Sequence, residues 1–174
     1  MDSRGSHSRV SVRLVRADDG ERIAQHFGNL SPASSYLRFF SPRRRISAQE
    51  LARFTEIDPR RQAALAATVG SGGDERIVGL AQYVVVDGRR ADVACSVIDE
   101  LQGHGVGLLL LRRLLTLARA NGVTEFESEV LADNHRMLGL LTRNGLAKHR
   151  SVEGGVVHLT FSGAEADGAL RPAA

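Results

Sequence analysis

Three β-rich runs, Ala63 to Val69, Ile77 to Val86 and Ala91 to Ile98, follow one another with only Gly70-Ser71-Gly72-Gly73 and Asp87-Gly88 as turn signals between them. Connections this short cannot hold the crossover that a parallel pair needs, so the runs form an antiparallel meander. Asp87-Gly88 suits a type I′ turn, because glycine accepts the positive φ that turn demands. The third run leads straight into Gln102-Gly103-His104-Gly105-Val106-Gly107 and a leucine-rich helical stretch from Leu108, with Gly122 just past its end. Glycines that open a helix leave backbone N–H groups uncovered, and the helix dipole favours an anion there. The loop therefore reads as a phosphate cradle, with a plain turn as the alternative. Its G-x-G-x-G spacing after hairpins is not the G-x-G-x-x-G that follows the first strand of a dinucleotide fold, and no G-K-[ST] closes it as in nucleoside triphosphatases.

The rest of the chain fits around that block. Val10, Val12 and Leu14 alternate with Ser11 and Arg13 as a half-buried first strand. Ile23, Ala24, Phe27 and Leu30 recur at helical spacing, and Ser31-Pro32 is read as the stop of that helix. Ser47 with Glu50 three residues on opens a second helix as a capping box, and the aromatic segment Ser34 to Ser41 connects the two. After the leucine-rich helix come a strand from Thr124 to Leu131, a helix from Asn134 to Asn144 ended by Gly145, and strands at Ala147 to Val152 and Val156 to Phe161. The order is β, α, α, β, β, β, α, β, α, β, β, with one domain expected over residues 10–161 and flexible tails at 1–9 and 162–174.

With 174 residues, 43% of them hydrophobic, the chain can bury one good core but not two. Its 23 basic residues against 20 acidic ones give a net charge of only +3, and no basic stripe or recognition helix points to nucleic acid. A single cysteine, Cys95, excludes an internal disulfide and a cysteine-cluster metal site, so no metal is expected, and Cys95 is read as a small core residue rather than an acyl carrier. No apolar run reaches the roughly 18 residues of a membrane span and the first residues lack a signal-peptide pattern, so no membrane partner and a cytoplasmic location are expected.

Q-x-x-G-x-G before an apolar helix, a strand ending Glu129-Val130-Leu131, and Asn134-x-x-Met137-x-x-Leu140-x-x-x-x-Gly145 together resemble the GNAT superfamily of acyl-CoA-dependent N-acyltransferases. Ser31-Pro32-x-Ser34-x-Tyr36-x-Arg38-Phe39-Phe40-Ser41 is similar to the acetyltransferase module of Pat-type bacterial protein lysine acetyltransferases. The resemblance implies an α/β (α+β) fold: a mixed, mostly antiparallel sheet of six to seven strands, flanked by about four helices and splayed between strands 4 and 5. It implies acetyl-CoA as cosubstrate, its pyrophosphate on the backbone of Gln102, Gly103, His104, Gly105, Val106, Gly107 and Leu108. The pantetheine arm then runs beside Ser96, Val97 and Ile98, where a hydrogen-bonded thioester carbonyl is polarised. Asn134 contacts the pantetheine or caps its helix, and His104 stands where the family usually carries Arg or Lys.

An amine attacks only when neutral, and a lysine near pKa 10.4 needs a base. The resemblance places an acid of strand 4 in that role, which here is Asp92, acting through water because its side chain is one methylene shorter than the family's Glu. Glu125, Glu127 and Glu129 share one face of strand 5 as a solvated surface or a second source of the base, and Glu129 is the rival chosen among them. The tyrosine that many members use to protonate the leaving thiolate aligns with Leu141, so that acid is missing. Arg43-Arg44-Arg45 is a solvated run or a greeting for the 3′-phosphate or an acidic protein. The expected activity is transfer of an acetyl group to a protein lysine, for instance of an acyl-CoA synthetase, by direct attack in a ternary complex. A small amine as acceptor and a non-catalytic acyl-CoA sensor are the alternatives, and the assembly is expected to be a monomer or homodimer.

Overall fold

The structure is a computed structural model and describes residues 9–43, 45–143 and 149–162. Seven strands form one sheet in the order β1-β2-β3-β4-β5-β7-β6. They are β1 (Ser11–Leu14), β2 (Gln62–Val69), β3 (Arg76–Asp87), β4 (Arg90–Val97), β5 (Glu125–Leu131), β6 (His149–Glu153) and β7 (Val156–Ser162). Every neighbouring pair is antiparallel except β4 and β5. The five helices are α1 (Gly20–Gly28), α2 (Pro32–Phe39), α3 (Ala48–Thr55), α4 (Val106–Ala120) and α5 (His135–Arg143). Among the described residues no helix is long and apolar enough to cross a membrane.

One helix more than the expected four is present, and it corrects the reading of Ser31-Pro32. Rather than stopping a helix, Ser31 caps the next: its hydroxyl accepts from the Ser34 N–H (3.1 Å), and Pro32 fills the first turn, where a missing N–H costs nothing. The aromatic segment is thus α2. Phe39 lies 5.2 Å from the Phe27 ring of α1, and Phe27 lies 5.7 Å from Phe54 of α3, so three phenylalanines bind the first three helices together.

The hairpin between β3 and β4 is also a correction. Gly88 has φ 51°, but Gly88 is the only residue there with a positive φ, so the type I′ turn at Asp87-Gly88 is not made. A register shift between Val85 and Asp87 absorbs the difference. The capping box at Ser47 and Glu50 forms as expected, and α4 ends in a Schellman motif, Gly122 N–H to Arg119 O and Val123 N–H to Ala118 O. The expected helix stop at Gly145, and both tails apart from Arg9 and Ser162, lie outside the described residues.

Helix α4 covers the sheet face that carries Gly79 and Tyr83. A Cβ at Gly79 would sit 2.8 Å from a Leu110 methyl, and the Tyr83 hydroxyl accepts from Asn121 Nδ2 (2.8 Å). Helix α1 covers the other face, where His26 meets Ser96. Leu110, Leu111, Leu114 and Leu115 are fully buried on one side of the sheet, Ile23 and Phe27 on the other, so strands β2 to β4 lie between two apolar layers.

A candidate acyl-transfer site where two strands part

Parallel pairing of β4 with β5 covers three residue pairs, Arg90 with Glu125, Ala91 with Phe126 and Asp92 with Glu127. Among the described residues no further pair follows, and from there β5 continues with β7 and β4 with β3. The last pair thus sets two carboxylates side by side at the apex of a V-shaped opening. Burial pushes the half-buried Asp92 carboxyl above its ordinary range, and the neighbouring Glu127 and Glu129 charges add to the rise, partly offset by the Arg38 guanidinium.

Glu129, the strand-5 residue chosen from the sequence, lies one step further along. It is exposed and held across the strands by His158, Nδ1 to Oε1 3.2 Å. Glu127 is therefore the strand-5 carboxylate closest in register to Asp92, and only the register of the parallel pair reveals it.

The glycine loop stands at the wide end of the V. Gly103 and Gly105 have φ 79° and 82°, which only glycine adopts without strain. Gly105 is the residue before α4, and no side chain caps the helix there. The first intrahelical bond is Leu109 N–H to Gly105 O, so the N–H groups of Val106, Gly107 and Leu108 remain for another acceptor. A Cβ at Gly103 or Gly105 would meet nothing within 4 Å, while one at Gly107 would lie 3.7 Å from Val97 and 3.9 Å from Leu140. Gly107 thus lies between Val97 of β4 and Leu140 of α5, where an added Cβ would touch both.

The loop is braced by side chains that sequence reasoning passed over. Gln102 Nε2 donates to Val97 O (3.0 Å) and Ser34 Oγ (3.1 Å), and its Oε1 accepts from Arg136 of α5. Asp99 accepts from Ser31 Oγ and Ser34 Oγ, both at 2.7 Å, and from the Ser31 N–H at 3.0 Å. Burial alone would raise the Asp99 carboxyl, but these bonds outweigh it and hold it below the usual carboxylate range. The start of α2, the end of β4 and the start of α5 are tied together at the loop, so Gln102 acts here as a brace. Its signal in the sequence was Ser31-Pro-x-Ser34, visible but assigned to a helix end.

The remaining expected residues are placed as follows. His104 is exposed, with Nδ1 3.0 Å from Gln102 O. Val97 is half-buried beside Gly107, and Ile98 is buried, its N–H donating to Val78 O (2.9 Å). Asn134 Oδ1 accepts from the Met137 N–H (3.1 Å), so it caps α5. Asn134→Ala is expected to cost about 1 kcal/mol of stability, read from urea unfolding. Cys95 packs against the core, and burial pushes its thiol up to about 12. Leu141, at the position of the missing tyrosine, is core. Among the described residues no cluster of three or more His, Cys, Asp or Glu side chains is gathered to hold a metal.

Residues 33–146 match the acetyltransferase (GNAT) family. The chain belongs to the GNAT acetyltransferase family. An acetyltransferase of Pseudomonas aeruginosa is 31% identical over 142 residues, 81% of this chain and 76% of that protein. The GNAT domain of S. lividans PAT superposes with a TM-score of 0.80 at 34% identity, covering 88% of this chain and 90% of that one. The acetyltransferase Pat of Mycolicibacterium smegmatis is 31% identical over 136 residues, 77% of this chain but only 40% of Pat. This GNAT chain is thus an acyltransferase by family.

Proposed function

We propose that this GNAT chain is an acetyl-CoA-dependent N-acetyltransferase whose acceptor is the side-chain amine of a protein lysine. The observation that carries the reading is the parting of β4 and β5 directly beyond Asp92 and Glu127, beneath the uncapped start of α4. The backbone N–H groups from Gly103 to Leu108 bind the diphosphate. The free edge of β4 at Ser96 to Ile98 pairs with the amide-bearing arm, and the thioester then lies in the V.

The acidic wall of Asp92, Glu127 and Glu129 attracts an ammonium and repels an anionic acceptor. Asp92, raised by burial and by its neighbours, is the carboxylate best suited to take the amine proton, directly or through one water. Protein lysine is preferred over a small amine because the α2 segment with its Ser31-Pro-x-Ser34-x-Tyr36-x-Arg38 pattern resembles Pat-type enzymes, and because two of the relatives are Pat proteins.

The test mixes the full chain with acetyl-CoA and an acyl-CoA synthetase, beside reactions that offer small polyamines instead. Intact-mass and peptide analysis is expected to find one or more acetylated lysines on the protein acceptor. Acetylation confined to the polyamines would make the chain a small-amine enzyme. Tight coenzyme binding without turnover on either acceptor would make it a sensor.

A further inference from the structure

His26 of α1 is fully buried, and its two ring nitrogens face different surroundings. Nε2 lies 2.9 Å from the Ser96 hydroxyl on β4. Nδ1 makes no close hydrogen bond, the Ile77 backbone interacts with the ring, and the ring lines a cavity of about 20 Å³ whose other walls include Arg22, Gln25, Asn29, Arg76 and Ile77. A polar cavity of that size holds one water. An imidazole placed this way connects the coenzyme side of β4 to polar residues at the surface of α1. The α5 position where many family members carry a tyrosine is Leu141, which is core, while Tyr83 is buried and bonded to Asn121 at the far end of α4 and Tyr36 is exposed on α2.

We propose that Ser96 and His26 form a proton relay that delivers a proton to the thiolate leaving group. The inference rests on the acetyl-CoA reading above, which sets the thioester beside Ser96. As the amine nitrogen bonds to the carbonyl carbon, the carbon–sulfur bond breaks and its electron pair goes to sulfur. Sulfur takes the Ser96 Oγ proton, Ser96 takes the Nε2 proton of His26, and Nδ1 takes a proton from solvent through the cavity water. The imidazole ends as its other tautomer without ever becoming charged, and exchange with solvent resets it. The proton lost by the amine goes to Asp92 and then to solvent, so the transfer balances. Burial, which holds His26 down at about 4, keeps the ring neutral throughout the working range. Ser96 is the catalytic residue of the pair, and His26 positions and recharges it.

The experiment labels the histidines of the full chain with ¹⁵N, assigns His26 with the variant His26→Gln, and titrates coenzyme A. The relay expects a neutral ring protonated on Nε2 in the free protein. It also expects an Nε2 shift on saturation with coenzyme, and loss of that response in Ser96→Ala. In single turnovers at saturating acetyl-CoA, Ser96→Ala is expected to lower the rate about 10²-fold, and Ser96→Thr to restore most of it. An Nδ1-protonated resting ring, or an Nε2 that ignores coenzyme while the Gly103 to Leu108 amides move, would overturn the relay and leave the acetyltransferase reading standing. Amides of Gly103 to Leu108 that do not respond to coenzyme would overturn both.

Discussion

Asp92→Asn is expected to lower kcat for acetyl transfer by about 10²–10⁴-fold while leaving KM for acetyl-CoA within about twofold, because the proposed mechanism gives the side chain the amine proton and no contact with the coenzyme's phosphates. The amide keeps the size of the carboxylate and removes only the base. A pH–rate profile adds a second check. Asp92 must be ionised to accept a proton, so its raised pKa sets the acid limb of the profile above the ordinary carboxylate range. Glu127→Gln removes a neighbouring like charge and is expected to move that limb to lower pH. A Glu129→Gln variant that loses more activity than Asp92→Asn would transfer the role to β5.

The largest effect on stability is expected at Asp19, far from the chemistry. This carboxylate is fully buried before α1 and accepts from Arg13 Nη1 (2.6 Å), Arg13 Nη2 (2.8 Å) and the Arg16 N–H (2.7 Å). Arg13 continues to Glu75, Nη2 to Oε1 2.5 Å, so one guanidinium fastens β1 to the turn before α1 and to the loop before β3. Asp19→Ala leaves that guanidinium with one of its two carboxylates in a site mostly closed to water. A loss on the order of 3 kcal/mol is expected, a large part of the roughly 5–15 kcal/mol that holds a domain together, measurable by urea unfolding. The Arg13 hydrogen bonds hold the Asp19 carboxyl below its ordinary value. A depressed folded pKa contributes stability above the unfolded value, near 3.9, and that stability disappears as pH falls through the folded one. Wild-type protein should therefore weaken below about pH 4 more steeply than Asp19→Ala.

Much of this architecture was legible in the sequence because the deciding signals are local. The meander at Ala63 to Ile98, the glycine loop and the Gly122 stop each rest on turn or cap chemistry carried by adjacent residues. Helix α2 was missed because Ser-Pro serves equally as an end and as a beginning, and only the Ser31 to Ser34 bond decides between them. At the site, glycine spacing marks the loop and alternation gives the face of Asp92, while its role as base came from the resemblance. Glu127 could not be preferred over Glu129, because that choice depends on the register between two strands separated by all of α4. The brace of Asp99, Gln102 and Arg136 and the pairing of His26 with Ser96 join residues up to 70 positions apart, and of these only the Ser31-Pro-x-Ser34 end of the brace leaves a local pattern.

The most direct measurement of the central claim is a crystal structure of the chain with acetyl-CoA bound. The account expects the diphosphate on the N–H groups of Gly103 to Leu108, the arm along β4 from Ser96 to Ile98, and the thioester carbon within one water of the Asp92 carboxylate. Coenzyme bound outside the V between β4 and β5, or a thioester that Asp92 cannot reach through a single water, would contradict it.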